Sequence, residues 1–221
     1  MSDSVFRLDD VGYAYPGAAS SFSLELESLR VRPGEILALV GPNGAGKTTL
    51  LMLLAFLARP GRGRLEFLDG DPWASEDSAV RARRDAVLAT HHPYLFKGTV
   101  ADNLSFGLKL RKVPEAERPE RLRSALALVE LEGWENKSIS GLSAGQAQRV
   151  ALARALSTEP RLLLGDEVTG NLDRATGREM LNLVRAQVAG RGLTAIVVTH
   201  DASVSDWADR ALELQDGHLV A

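Results

Sequence analysis

Two short stretches hold residue types that could do chemistry together. The first is Gly41-Pro42-Asn43-Gly44-Ala45-Gly46-Lys47-Thr48-Thr49. Glycines let backbone N–H groups turn inward around phosphate oxygens. A helix opening at Lys47 would add unpaired donors and a partial positive charge. At this spacing Lys47 can reach the β- and γ-phosphates of a nucleotide such as ATP, and the Thr48 hydroxyl can ligate Mg²⁺. The second stretch is Asp166-Glu167, which ends the apolar run Leu162-Leu163-Leu164-Gly165. Asp166 suits Mg²⁺, directly or through water. Glu167 is then free to orient or deprotonate an attacking water. Alone, such an acidic pair also fits a solvated strand end; beside a phosphate loop it reads as catalytic.

These residues need elements to carry them. Residues 5–15 and 22–31 read as strands split by a turn at 16–21. In the second, Phe22, Leu24 and Leu26 alternate with Ser23, Glu25 and Glu27, the pattern of a half-buried antiparallel strand. Residues 35–40 form a continuous apolar run bounded by glycine, which suits a parallel strand covered on both faces. Residues 47–58 read as the helix that the phosphate loop opens. Apolar strands at 161–165 and 194–199 flank a helical stretch at 175–189, the spacing of βαβ units in a parallel sheet. Ligands gather at the carboxyl ends of such strands, so Asp166 and Glu167 should face the phosphate loop. The middle third differs, with helical patterns at 99–111, 118–130 and 144–157. Residues 93–146, approximately, read as a mostly helical insertion in a single α/β unit spanning 1–221.

The totals narrow the field. A chain of 221 residues can bury one substantial core but is short for two independent domains. The formal charge of −3 lacks the electrostatic footprint of a nucleic-acid binder, so no nucleic-acid partner is expected. There is no cysteine, which excludes disulfides and thiolate chemistry and agrees with a reducing cytoplasm. The start, Met1-Ser2-Asp3-Ser4, lacks the pattern of a secretory signal. No apolar stretch approaches the roughly 20 residues of a membrane span, so a membrane role requires a partner.

A third segment adds specificity. In Leu142-Ser143-Ala144-Gly145-Gln146, Ser143 and Gln146 fit a capping box at the start of a helix. By itself this is a well-capped helix whose N-terminus is also an anion site. With Ala147-Gln148-Arg149-Val150-Ala151-Leu152-Ala153-Arg154-Ala155-Leu156 behind it, the segment resembles the signature of the ABC ATPases, with Ala144 where glycine is commonest. Asn171-Leu172-Asp173 and Thr199-His200-Asp201 complete a set of motifs in the family order, and the resemblance covers essentially the whole chain. It implies a P-loop NTPase (RecA-like) core, an antiparallel β subdomain and a helical subdomain. It also implies two copies paired head to tail around ATP. One copy would contribute Gly41–Thr49, Asp166, Glu167 and His200, and the other Ser143, Gly145 and Gln146, with Asp173 at the seam. His200 would contact the γ-phosphate, although a histidine ending an apolar strand also fits a plain surface position. Tyr15 matches the aromatic that stacks on adenine, and equally a strand-end tyrosine at a turn.

The chain departs from the family pattern at three points. In Ala89-Thr90-His91-His92-Pro93, His91 stands where glutamine is usual. That glutamine touches Mg²⁺ or the attacking water. A neutral imidazole can ligate a metal or accept a proton, and it titrates near physiological pH. His91 is therefore expected to replace the glutamine in part; the alternative is that it points elsewhere. Gly165 takes a position usually aliphatic, and Val168 replaces the usual proline after the glutamate. Neither removes a reacting group, and a less rigid Glu167 backbone is the expected cost.

The resemblance implies an ATP-hydrolysing subunit that powers a separate integral membrane permease, peripheral on the cytoplasmic face of the cell membrane. Tyr94, Leu95 and Phe96 lie where the permease would dock, or else fill the helical region's own core. The 93–99 segment resembles ATPases of tungstate-type oxyanion importers, and the lack of a C-terminal regulatory domain agrees. Thr169-Gly170-Asn171-Leu172-Asp173 resembles the lipoprotein-release and macrolide-efflux group. The reading adopted is import of an oxyanion-type solute. The alternatives are a release or efflux ATPase, a soluble family member acting outside transport, and a non-hydrolysing scaffold, which Glu167 and His200 argue against.

Overall fold

The computed structural model describes residues 3–15, 23–170, 172–200 and 204–220. The turn expected at 16–21, together with Phe22, Asn171 and Asp201, lies outside them. Two sheets organise the chain. Strands β1 (Phe6–Ala14), β2 (Ser23–Val31) and β4 (Arg62–Phe67) form an antiparallel sheet in the order β2-β1-β4. The larger sheet contains β3 (Ile36–Val40), β5 (Ala86–Ala89), β6 (Leu162–Asp166), β7 (Thr194–Thr199), β8 (Arg210–Gln215) and β9 (His218–Val220). Its order is β5-β6-β7-β3-β8-β9, parallel from β5 to β8, with β9 turned back antiparallel.

The apolar runs are explained by what lies on each face of this sheet. Along β3, Leu37 and Leu39 join the core shared with the antiparallel sheet. Ile36 and Ala38 alternate onto the opposite face and join the core shared with the helices. A strand covered on both faces cannot show a polar side, hence the unbroken run. The first core holds an aromatic cluster in which Phe6 stacks on Phe56 at 5.7 Å and Phe67 tilts against both.

Helix α1 (Lys47–Leu54) is shorter than the 47–58 expected from sequence. Phe56 turns into the left-handed region at φ 58 and enters the aromatic cluster, so burial of its ring ends the helix where the apolar pattern continues. Helices α3 (Val100–Leu110) and α4 (Arg118–Ala127) lie within the 93–146 insertion and pack with α5 (Ala144–Leu156). Thr99 and Asp102 close a capping box on α3, and Ser143 and Gln146 close the one expected on α5. Helix α6 (Arg174–Arg191) connects β6 to β7, as the βαβ spacing predicts. Strands β4, β5, β8 and β9 and helix α2 (Glu76–Asp85) were not anticipated.

Candidate active site

The carboxyl ends of four parallel strands meet at one edge of the large sheet. β3 runs into the phosphate loop, β5 into His91, β6 into Asp166 and Glu167, and β7 into His200. A cleft of about 380 Å³ opens there, lined by Lys47, Thr48, His91, Asp166 and Glu167 together with loop residues Asn43, Gly44, Gly46 and Thr49. Gly46 caps α1 at φ 102, a conformation that a side chain would disfavour. A Cβ on Gly41 would fall 2.1 Å from the Leu214 carbonyl oxygen, so β8 fixes glycine at the start of the loop. The buried Lys47 donates from Nζ to the carbonyls of Gly41 and Pro42, at 2.7 and 2.8 Å. Its ammonium is thereby held inside the loop's arch, while Thr48 is exposed to the cleft.

Burial and the neighbouring Glu167 charge push the Asp166 carboxyl above the ordinary aspartate range, with His91 and Lys47 opposing them. A carboxylate under such strain is a natural cation partner. Glu167 occupies the left-handed region at φ 45, an uncommon conformation for a residue with a side chain. Its N–H donates to the Val198 carbonyl at 2.9 Å. His200 approaches its carboxylate with Nδ1 at 2.8 Å, and His91 approaches its carbonyl with Nδ1 at 2.9 Å. A carbonyl oxygen only accepts, so in this bond His91 carries a proton on Nδ1 and turns Nε2 away from the carbonyl.

The remaining predicted residues lie elsewhere. Ser143, Gly145 and Gln146 line a separate concavity of about 380 Å³ with Asp173, which shares no lining residue with the first. Tyr15 is 39 % exposed. Its hydroxyl pairs with Thr49 at 3.0 Å and its ring meets Tyr13 edge to face, leaving it over α1 beside the loop. Pro42 is exposed, while Ala45 is buried and accepts from the Gly217 N–H at 3.0 Å.

Sequence reasoning missed the supporting residues. Asn103 is fully buried and bonds Phe96 through both its amide oxygen and nitrogen, and Thr99 through the nitrogen, shaping the 93–99 segment. Arg154 donates to the Tyr94 carbonyl at 2.8 Å. An asparagine on the apolar face of α3 was the available signal. The two departures at 165 and 168 prove complementary, because a Cβ on Gly165 would lie 3.1 Å from the buried Val168 side chain. Leu95 packs against the helical core, whereas Tyr94 is 73 % exposed.

Comparison with known proteins agrees with this geometry. A profile of the ABC transporter family matches residues 24–170. A sulfate/thiosulfate import ATP-binding protein (CysA) of Mesorhizobium japonicum is 42% identical over 197 residues, which are 87% of this chain and 56% of that protein. The chain thus spans little more than half the length of these import relatives. A lipoprotein-releasing system ATP-binding protein (LolD) of Nitratidesulfovibrio vulgaris is 38% identical over 99% of this chain and 95% of its own. Among solved structures, CbiO1 of Clostridium perfringens, part of an ABC transporter complex, superimposes with a TM-score of 0.92 at 29% identity, covering 100% of this chain and 88% of that one. The ATP-binding cassette MJ0796, a dimer in a post-hydrolysis state bound to ADP and Pi, gives 0.85 at 29% identity over 98% of this chain and 97% of its own. With its P-loop NTPase fold, this chain belongs to the ABC transporter family.

Proposed function

We propose that residues 41–49 bind the triphosphate of MgATP and that Glu167 orients or deprotonates the water that attacks it. The observation that carries this reading is the convergence of Lys47, Thr48, Asp166 and Glu167 on one cleft. Lys47 neutralises phosphate charge, and its rest position on two loop carbonyls keeps it desolvated and in place. The donors available for Mg²⁺ are the Thr48 hydroxyl, the Asp166 carboxylate and His91 Nε2. Among the described residues no group of three or more His, Cys, Asp and Glu side chains is arranged to hold a metal ion by itself, and a cation shared with phosphates needs none. Bound Mg²⁺ would supply charge neutralisation at the phosphate oxygens. His200, donating to the Glu167 carboxylate, keeps that group oriented and stands ready at the γ-phosphate side.

In this reading the second site half comes from another copy. Ser143, Gly145 and Gln146 would close over the nucleotide from a head-to-tail partner, and Tyr15 would stack on adenine. Support comes from the separation of the two concavities within one chain and from the dimeric MJ0796 cassette.

The work of hydrolysis passes to a separate membrane permease. No helix among the described residues is long and apolar enough to cross a membrane. A groove of about 350 Å³ beside the helical region presents Tyr94, Phe106 and Leu110, which are 73%, 50% and 70% exposed. Exposed aromatic surface of this kind suits a protein partner, and it would hold the cassette at the cytoplasmic face. The solute reading is import of an oxyanion, supported by the sulfate/thiosulfate relatives. Lipoprotein release is the second reading, favoured by the near end-to-end match of the LolD relative.

Phosphate release from MgATP tests the chemistry. The unmodified chain should turn over, and Glu167→Gln should lower kcat by about 100-fold or more while ATP binding persists. Equal rates for the two would support a nucleotide-binding scaffold instead.

A further inference from the structure

We propose that His91 is a positioning residue: its Nδ1–H holds the Glu167 carbonyl and fixes the backbone from which the Glu167 carboxylate is presented. The inference rests on Glu167 being the residue that handles the attacking water. Glu167 sits at φ 45, so something must hold it there. Val168 lacks the ring that would fix its own φ, and Gly165 gives the strand end further freedom. The constraint comes from hydrogen bonds. The Glu167 N–H is tied to Val198, and its carbonyl accepts from the Gly170 N–H and from His91, each at 2.9 Å. The Gly170 bond is local to the turn. The His91 bond spans 76 positions and joins the loop after β5 to the end of β6.

Gly170 gives independent support. Its φ lies outside the left-handed region, so the backbone alone does not demand glycine there. The imidazole does. A Cβ on Gly170 would lie 2.5 Å from His91 Cε1 and 2.8 Å from His91 Nδ1. The turn after Glu167 is therefore shaped to admit the His91 ring against the carbonyl. The clamp uses Nδ1, whereas metal ligation would use Nε2, so the two roles separate by substitution. An asparagine amide nitrogen stands close to the place of Nδ1, and a glutamine amide nitrogen close to that of Nε2.

The test measures kcat and KM for ATP in His91→Asn, His91→Gln, Gly170→Ala and His91→Asn/Gly170→Ala, with the His91 tautomer read by ¹⁵N NMR on the nucleotide-free chain. The clamp predicts a proton on Nδ1. It predicts that His91→Gln and Gly170→Ala each lower kcat by about tenfold with KM within about twofold, and that His91→Asn, which keeps a donor at the Nδ1 place, retains more kcat than His91→Gln. It also predicts that Gly170→Ala costs little once asparagine has removed Cε1, a clear departure from additivity. A bare Nδ1, additive costs, or a deeper loss for asparagine than for glutamine would each overturn the clamp. Absence of turnover in the unmodified chain would instead overturn the ATPase reading, and the tautomer would still report on the hydrogen bond by itself.

Discussion

Asp166 and Glu167 are neighbours in sequence but are treated in opposite ways by their surroundings. Glu167 receives an imidazole at its carbonyl and another at its carboxylate. Asp166 is held in an unfavourable place, its carboxyl pushed up by burial and by the Glu167 charge more than Lys47 and His91 relieve it. Removing that charge should therefore stabilise the nucleotide-free chain while removing its cation partner. Asp166→Asn is expected to raise the melting temperature near neutral pH by about 2–4 °C, the equivalent of roughly 1 kcal/mol in a domain of this size, and to abolish turnover. Calorimetry with a phosphate-release assay on the same preparation checks both. The residues that line the cleft were legible in the sequence because phosphate and metal chemistry demands fixed types at fixed spacing. His91 was expected at the site, but its hydrogen bond was not, since its partner is a main-chain carbonyl, and a carbonyl leaves no mark in the residue alphabet.

At the level of elements, the amino end of β3 depends on one buried acid. Glu35 is 4 % exposed and accepts from Arg210 Nε at 2.7 Å and from the Arg32 N–H at 2.7 Å. Burial pushes its carboxyl up, but the Arg210 and Arg32 hydrogen bonds outweigh that and hold it below the ordinary value of 4.5. Because the folded-state value is depressed, the stability from this pairing is complete above that value and is lost as pH falls through the lower one. Arg210→Met should cost about 2–3 kcal/mol at pH 7, somewhat less than breaking a fully buried pair because Arg210 is partly exposed and Arg32 remains. Denaturant unfolding across pH 7 to 3 should show the gap between variant and unmodified chain narrowing at the acid end. The elements missed by sequence share a cause. β5 has only four residues, β9 three, and β8 lies between β3 and the short edge strand β9 with a mostly half-exposed alternation, so none displays enough periods to stand out. α2 is almost wholly polar, with only Ala79 and Ala82 buried, and offers no apolar stripe. β3, β6 and β7 were readable because each is covered on both faces.

For the whole molecule, the separation of the two concavities sets the assembly prediction. Glu167→Gln mixed with MgATP should double in mass by light scattering relative to the same protein without nucleotide, and an unchanged mass would count against the sandwich. How the two sheets are joined carries a different consequence. Gly217, in the turn between β8 and β9, donates its N–H to Ala45 of the phosphate loop and accepts from the Glu25 N–H of β2. Leu214 meanwhile presses its carbonyl against Gly41. Every one of these contacts is made by main-chain atoms. Exposed side chains along this hairpin can thus change without disturbing the nucleotide loop, whereas Leu214 is held by the core it fills and Gly217 by the closeness of β2. The length of the hairpin is not free: inserting or deleting a single residue between Leu214 and Gly217 would shift the buttress out of step with the loop it supports.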